Sequence, residues 1–162
     1  MTTAADIYQT NLDEVTNLLW ARDYEGVCRH LLFPSRMETN DKGVQVENAE
    51  QMILSLRSQR DSLERLGAQG YHRLCLAAEF DPLNPDRIVG RHRTYVLRGG
   101  TYVIPPYEAD MALERVNGRW LCAGLRAYVR NADAGVISPS HGWEQLSEDD
   151  LRGGPPTTRK DQ

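Results

Sequence analysis

The spacing of hydrophobic positions changes from helical to strand-like near Gly70. Before this point apolar residues recur every three or four positions, and after it short apolar runs alternate with polar residues between turn signals. Helices followed by antiparallel strands are typical of an α+β domain. We therefore predict one α+β cone, in which three N-terminal helices pack on a strongly curved antiparallel β-sheet and enclose a pocket.

Capping and stop signals place the three helices. The first covers residues 3–22. Asp23 is expected to cap a second, short helix, which Pro34 should end because the residue before a proline avoids the helical region. Asn48 begins the longest helix, since Gln51 stands three residues later in a capping-box arrangement.

Turn signals divide the remaining chain into strands. Residues 40–43 predict a small hairpin between the second and third helices. Gly99-Gly100 and Asn117-Gly118 predict two-residue hairpin turns, and the Asn-Gly turn requires positive φ angles at both central residues. Pro105-Pro106 interrupts a strand and predicts a bulge or an edge position, because proline cannot donate to the ladder. The long strands are expected over residues 71–80, 87–98, 101–116 and 119–129.

Alternation along the last strand gives it two faces. One face carries Trp120, Cys122, Gly124, Arg126 and Tyr128, and the other carries Leu121, Ala123, Leu125 and Ala127. The two-residue turn places Leu113 across from Cys122 and Met111 across from Gly124. We assign the face of Trp120 to the pocket, although the sequence leaves the opposite assignment open.

The second face of the sheet is small and apolar, and it needs cover. Exposed apolar sheet faces usually mark interfaces, and the two-fold dimer is the commonest solution. We therefore predict a homodimer through Leu121, Ala123 and Leu125.

Composition limits the class of partner. The 162 residues carry a net charge of −4, which argues against a general nucleic-acid binder. No apolar run is long enough to span a bilayer, and the first residues have no secretory pattern, so we expect a cytoplasmic protein without a membrane partner. Cys28, Cys75 and Cys122 are widely spaced and predict free thiols. Neither a metal nor a cofactor is predicted.

The order of elements, the short helix after Asp23, the long helix after Asn48 and the terminal hairpin around Asn117-Gly118 resemble the NTF2-like superfamily, also called SnoaL-like or cystatin-like. The resemblance implies an NTF2-like domain over residues 1–130. Residues 131–162 are rich in Gly, Pro, Ser and acidic residues, and we expect them to form a tail that is partly ordered at most. Its members are often homodimers, and they include isomerases, cyclases, dehydratases and transport factors. The enzymes commonly use an Asp–His or Asp–Tyr pair, and no segment here matches such a pair residue by residue.

His92 is the strongest candidate for chemistry. It alternates with Arg91 and Arg93, so if the arginines face water His92 faces inward, where it can act as a general base. A buried, hydrogen-bonded structural histidine is the alternative.

Arg126 is the second candidate, because a charge on a mostly apolar face needs a partner. That partner is either Asp110 or Glu108, or an anionic ligand held bidentately. His72 begins a strand whose inner set is expected to be Leu74, Leu76, Ala78 and Phe80. The complete set of predicted ligand-binding residues is Trp20, Tyr24, His72, His92, Trp120, Arg126 and Tyr128.

These patterns favour a homodimeric pocket protein that binds an unidentified, partly apolar small molecule. The first alternative is a cofactor-free isomerase, cyclase or dehydratase, with His92 as base and Arg126 or a tyrosine stabilising the oxyanion. The second is a non-catalytic dimerisation module, whose cone would be filled by side chains.

Overall fold

The computed structural model describes residues 1–136 and 144–145. Within them the protein is an α+β domain with helices α1 (Ala4–Trp20), α2 (Tyr24–Cys28), α3 (Ala49–Arg65) and α4 (Asn131–Ala134). The strands are β1 (Leu31–Glu38), β2 (Lys42–Val46), β3 (Gly70–Asp81), β4 (Asn84–Arg98), β5 (Thr101–Val116), β6 (Arg119–Ala127) and β7 (Glu144–Gln145). The described helices therefore number four rather than the predicted three, and the strong curvature of the sheet stays a prediction.

The strands form one mixed sheet in the order β3-β4-β5-β6-β1-β2-β7. Only the β1–β6 pair is parallel among the described strands. The helices cover one face, here called the inner face, and the main core lies between them. None of the described helices has the length and apolar character needed to cross a bilayer.

The predicted local signals act as expected. Asp23 accepts a hydrogen bond from the Gly26 amide at the start of α2, and Asn48 accepts one from the Gln51 amide at the start of α3. Asn117 and Gly118 have φ angles of 52° and 78°, as the hairpin turn between β5 and β6 requires.

Pro34 does not end a helix, which corrects the prediction. The helix α2 stops at Cys28, and Pro34 lies inside β1. The pairing of β1 with β6 passes from Leu31–Cys122 to Arg36–Gly124 with a break in register between them. Proline is tolerated there because an irregular stretch of the ladder needs no donor from it.

A bulge in β6 reverses the predicted faces of that strand from Gly124 onward. Leu113 lies opposite Cys122 as predicted, but Ala112 and not Met111 lies opposite Gly124, so Ala123 is an extra residue. An extra residue turns every later side chain to the other face.

The reversal places Leu125, Arg126 and Tyr128 on the opposite face from the one that the sequence analysis assigned to each. Leu125 lies opposite Met111 and lines the inner face rather than the outer face to which the sequence analysis assigned it. Arg126 lies opposite Asp110, and Arg126 and Tyr128 lie on the outer face rather than in the pocket. The assignment of both residues to the pocket is therefore wrong.

The face assignment of β3 also needs correction. Tyr71, Arg73 and Cys75 lie opposite Val96, Thr94 and His92, all three of which are buried on the inner face. Leu74 and Leu76, predicted to face inward, are each 51% exposed. A break in register between Cys75 and Ala77 then brings Ala78 and Phe80 back to the inner side, opposite Gly90 and Ile88.

Pro105-Pro106 produces the predicted bulge. Thr94 pairs with Tyr107 and Val96 pairs with Ile104, so the two prolines stand opposite a single residue of β4. The ladder loses no donor at this point because the prolines lie outside the regular pairing.

Candidate functional site

A cavity of about 100 Å³ lies between the inner face of the sheet and the helices. Its apolar side chains come from all layers of the fold and include Val15, Leu19, Val27, Met37, Met52, Leu56, Met111, Leu125 and Val136. Its polar side chains are Asn11, Ser35, Gln59, Tyr71, Arg73, His92, Thr94 and Tyr107. The mixture of an apolar lining with a few polar groups is typical of small-molecule sites.

His92 lies on β4 in the wall of this cavity and is 1% exposed. Its Nδ1 atom is 2.7 Å from the hydroxyl of Tyr8, which comes from α1 and is fully buried. Burial, and then the nearby charge of Arg73, hold the pKa of His92 well below its ordinary value. Burial also raises the pKa of Tyr8. Both groups are therefore neutral at pH 7.

Gly90 makes the contact between α1 and β4 possible. A Cβ atom at this position would lie 2.6 Å from Cε2 of Tyr8 and 2.8 Å from the carbonyl oxygen of Ala77. The tyrosine ring therefore occupies the space that any other residue would fill, and this holds its hydroxyl against His92.

Arg73 is the cavity residue that sequence analysis missed. Its Nε donates to the Thr16 hydroxyl over 2.9 Å and its Nη2 donates to the Leu12 carbonyl over 3.3 Å, both on α1. Within the described residues no carboxylate lies within ion-pair distance of this guanidinium. Its one signal in the sequence was the alternation along β3, in which Tyr71, Arg73 and Cys75 share one face and the more hydrophobic leucines share the other.

Two further polar groups of the cavity are uncharged. Tyr107 lies beside Thr94 and Tyr71, and burial raises its pKa well above the ordinary value. Burial raises the pKa of the Cys122 thiol to about 11. Arg73 is thus the one formal charge among the described residues that line the cavity.

The predicted residue Arg126 belongs to a charge network on the outer face. Its Nε donates to Glu38 over 2.8 Å, and the other oxygen of Glu38 accepts from Arg36 Nε over 3.0 Å. All three side chains are buried. The predicted partner Asp110 instead accepts two hydrogen bonds from Arg91 and one from the Tyr128 hydroxyl.

The remaining predicted residues also lie outside the cavity. Trp20 stacks on Tyr71 with ring centroids 6.3 Å apart, and with His72 it lines a surface groove between α1 and β3. Tyr24 is buried in the core under α3. Trp120 packs beside Phe80. Of the seven predicted residues, His92 alone is brought into the cavity.

No group of three His, Cys, Asp or Glu side chains in the described part of the chain is arranged to hold a metal ion. The polar groups of the cavity are instead hydrogen-bond donors and neutral hydroxyls, which can bind and orient a polar atom of a ligand.

No family model matches the chain, and no curated protein matches it in sequence. Solved structures do match. A protein of unknown function with a cystatin-like fold from Nostoc punctiforme has a TM-score of 0.58 at 12% identity, covering 83% of this chain and 91% of its own.

An NTF2-like protein with a cystatin-like fold from Novosphingobium aromaticivorans has a TM-score of 0.59 at 10% identity, covering 82% of this chain and 86% of its own. An NTF2-like protein of unknown function from Shewanella oneidensis has a TM-score of 0.58 at 10% identity and covers 76% and 97%. The chain therefore has the NTF2-like, cystatin-like fold, as the order of its elements predicted.

Proposed function

We propose that this protein binds a small, partly apolar molecule in the cavity between its helices and the inner face of its sheet. The observation that carries the proposal is the cavity itself, which is lined mainly by apolar side chains and, among the described residues, by one charged group, Arg73. A volume of about 100 Å³ corresponds to about three water molecules. A ligand of a few non-hydrogen atoms fits this space without movement of the fold.

The methionines provide a direct test. Met37, Met52 and Met111 line the cavity, whereas Met1 is exposed at the N-terminus. In protein with ¹³C-labelled methionine methyl groups, a panel of small acids, amides and alcohols should contain members that shift the three cavity signals and leave the Met1 signal in place. A crystal structure of protein taken directly from cells should show density in the cavity.

A cavity-filling variant sharpens the test. Ala109 lines the cavity, so Ala109→Val places two methyl groups in it and should weaken binding by about tenfold or more, while the fold is retained. Ala77→Val, on an exposed position of β3, is the matched control and should bind as the wild type does. If no panel member moves the cavity methionines and the purified protein carries nothing, the non-catalytic module replaces this proposal.

Catalysis without a cofactor is the second candidate, favoured by the buried neutral His92 beside a cationic Arg73. In this hypothesis His92 is the general base for an isomerisation, cyclisation or dehydration. A base needs an unprotonated Nε2, so ¹⁵N spectra of the His92 ring distinguish the hypotheses. The Nδ1–H tautomer supports catalysis, and the Nε2–H tautomer supports binding alone.

A cytoplasmic homodimer remains part of the proposal, with a revised contact. Leu125 lines the cavity and Ala123 is fully buried within its own chain, which leaves Leu121 from the predicted trio. Leu74 and Leu76 add exposed apolar surface on β3. Such surface favours association. Sedimentation equilibrium measures the oligomeric state, and a monomer at all concentrations would remove this part of the proposal.

A further inference from the structure

We propose that the ligand of the cavity is a short monocarboxylate, whose carboxylate accepts hydrogen bonds from Arg73 and from Nε2 of His92, and whose alkyl end lies among the cavity methionines. The inference rests on the proposed function and names its ligand class. Among the described residues that line the cavity, Arg73 is the one cationic side chain and the others are neutral.

Arg73 and His92 act on the same part of the cavity. Arg73 is paired with Thr94 and Cys75 with His92, so Arg73 and His92 are diagonal neighbours on the inner face of adjacent strands. Diagonal neighbours are separated by about 7–8 Å, which is within reach of a long side chain. A carboxylate has two oxygens, so it can accept from both groups at once.

Arg73 keeps donors for such an acceptor. A guanidinium has five N–H groups, and the structure gives this one two protein acceptors, the Thr16 hydroxyl and the Leu12 carbonyl. Both acceptors are neutral, so the positive charge is not compensated by them. Arg73 is partly buried, and a charge that has lost part of its water is costly unless it is paired and hydrogen-bonded. An anion in the cavity supplies that pairing.

The hydrogen bond between Tyr8 and His92 determines whether the second ring nitrogen of His92, Nε2, is a hydrogen-bond donor or an acceptor. Their 2.7 Å contact is the single hydrogen bond found for each of these side chains in the described part of the chain. If His92 Nδ1 donated, the buried Tyr8 O–H would be left without an acceptor, which is unfavourable. Tyr8 therefore donates to Nδ1, and the proton of the neutral ring is on Nε2. Nε2 is therefore the ring nitrogen that can donate a hydrogen bond to a ligand in the cavity.

The size of the cavity limits the alkyl chain. A cavity of about 150 Å³ holds a benzene-sized molecule, so about 100 Å³ suits an acid of two to four carbons. Met37, Met52 and Leu56 provide the apolar surroundings for such a chain.

The test compares propanoate with propanamide, which has the same shape but no charge. Binding is followed on the ¹³C methyl signals of Met37, Met52 and Met111 in the full chain. We expect the wild type to bind propanoate about tenfold or more tightly than propanamide, since hydrogen bonds to charged groups are the stronger ones. The ¹⁵N spectrum should show His92 as the Nε2–H tautomer, with a shift on addition of propanoate.

Variants assign the preference to Arg73. Arg73→Met should bind propanamide as the wild type does and lose the preference for propanoate. Arg93→Met removes a charge on an exposed residue of the neighbouring strand and should keep the preference. Should Arg73→Met not fold, Arg73→Lys retains the charge without the planar fork and should show a reduced preference.

Equal binding of the acid and the amide by the wild type would overturn this inference and leave the binding function standing. So would an unchanged preference in Arg73→Met, or an Nδ1–H tautomer of His92. If neither probe moves the cavity methionines, the carboxylate inference is also overturned. The broader panel of neutral and charged molecules then decides separately whether the cavity binds anything.

Discussion

The charged side chains on the two faces of the sheet have different kinds of partner. On the outer face Arg36 and Arg126 share the carboxylate of Glu38, and Arg91 is paired with Asp110. On the inner face Arg73 is held by a hydroxyl and a carbonyl of α1. The described outer arginines pair with carboxylates, whereas the described acceptors of Arg73 are neutral, and we propose that a ligand carboxylate pairs with Arg73.

The two groups of charges are expected to have different roles. Glu38, Arg36 and Arg126 are each at most 6% exposed, so removal of the Glu38 carboxylate takes a buried ion-pair partner from both arginines and should destabilise the folded chain. Arg73 lines both the cavity and the surface groove between α1 and β3. Charge in the first network should therefore affect stability, and charge at Arg73 should affect binding.

The largest expected effect comes from breaking the outer network. Glu38→Gln removes the carboxylate that two buried guanidinium groups share, and removing one partner of a buried pair costs about 3–5 kcal/mol. Urea denaturation measures this loss of unfolding free energy. The matched control is Asp86→Asn, which breaks an exposed pair with Arg115 and should cost about 1 kcal/mol or less. Equal effects in the two variants would contradict the role given to the outer network.

A smaller effect should follow from disturbing the inner face at Gly90. Gly90→Ala places a methyl group against the Tyr8 ring and the Ala77 carbonyl, and overpacking of this kind costs about 1–3 kcal/mol. It should also separate Tyr8 from His92, which the ¹⁵N signals of His92 report. Gly100→Ala is the control, since a Cβ atom there would meet no atom within 4 Å beyond its chain neighbours, and it should change stability by less than about 0.5 kcal/mol. An unshifted His92 spectrum in Gly90→Ala would show that the glycine does not hold this contact.

The smallest effect is the pH dependence carried by His92, which faces Tyr8 and Arg73. Its pKa in the folded protein is below the unfolded value of 6.5. Below pH 6.5 the unfolded chain therefore binds a proton that the folded protein does not. Above pH 6.5 the titration of His92 therefore does not reduce the free energy of unfolding. As the pH falls below 6.5, this titration lowers the free energy of unfolding by at most about 1.4 kcal/mol per pH unit.

The variant His92→Gln isolates this contribution. Its unfolding free energy should fall less steeply than that of the wild type between pH 7.5 and pH 5.5, because glutamine does not titrate. Urea denaturation at several pH values measures the two slopes. Parallel slopes would mean that His92 is protonated as easily in the folded protein as in the unfolded chain.

Local signals predicted much of the fold and little of the site. The caps at Asp23 and Asn48 and the turn at Asn117-Gly118 depend on residues within a few positions of one another, and the structure confirms each of these predictions. The predicted sheet face of Arg126 was wrong because the bulge at Ala123 has no distinct pattern in the sequence. A bulge is set by how two strands and their neighbours pack, and one extra residue exchanges the faces.

The sequence by itself determined where α1, α2 and α3 begin, the four long strands, the Asn117-Gly118 turn, the NTF2-like fold and the inward position of His92. These follow from short-range periodicity, capping and turn chemistry. Only the tertiary structure decided which charges meet, because Glu38 reaches Arg126 across a parallel strand pair and Arg73 reaches Thr16 across a helix–sheet contact. Contacts between residues far apart in the chain depend on register and bulges, which alternation along one strand does not specify.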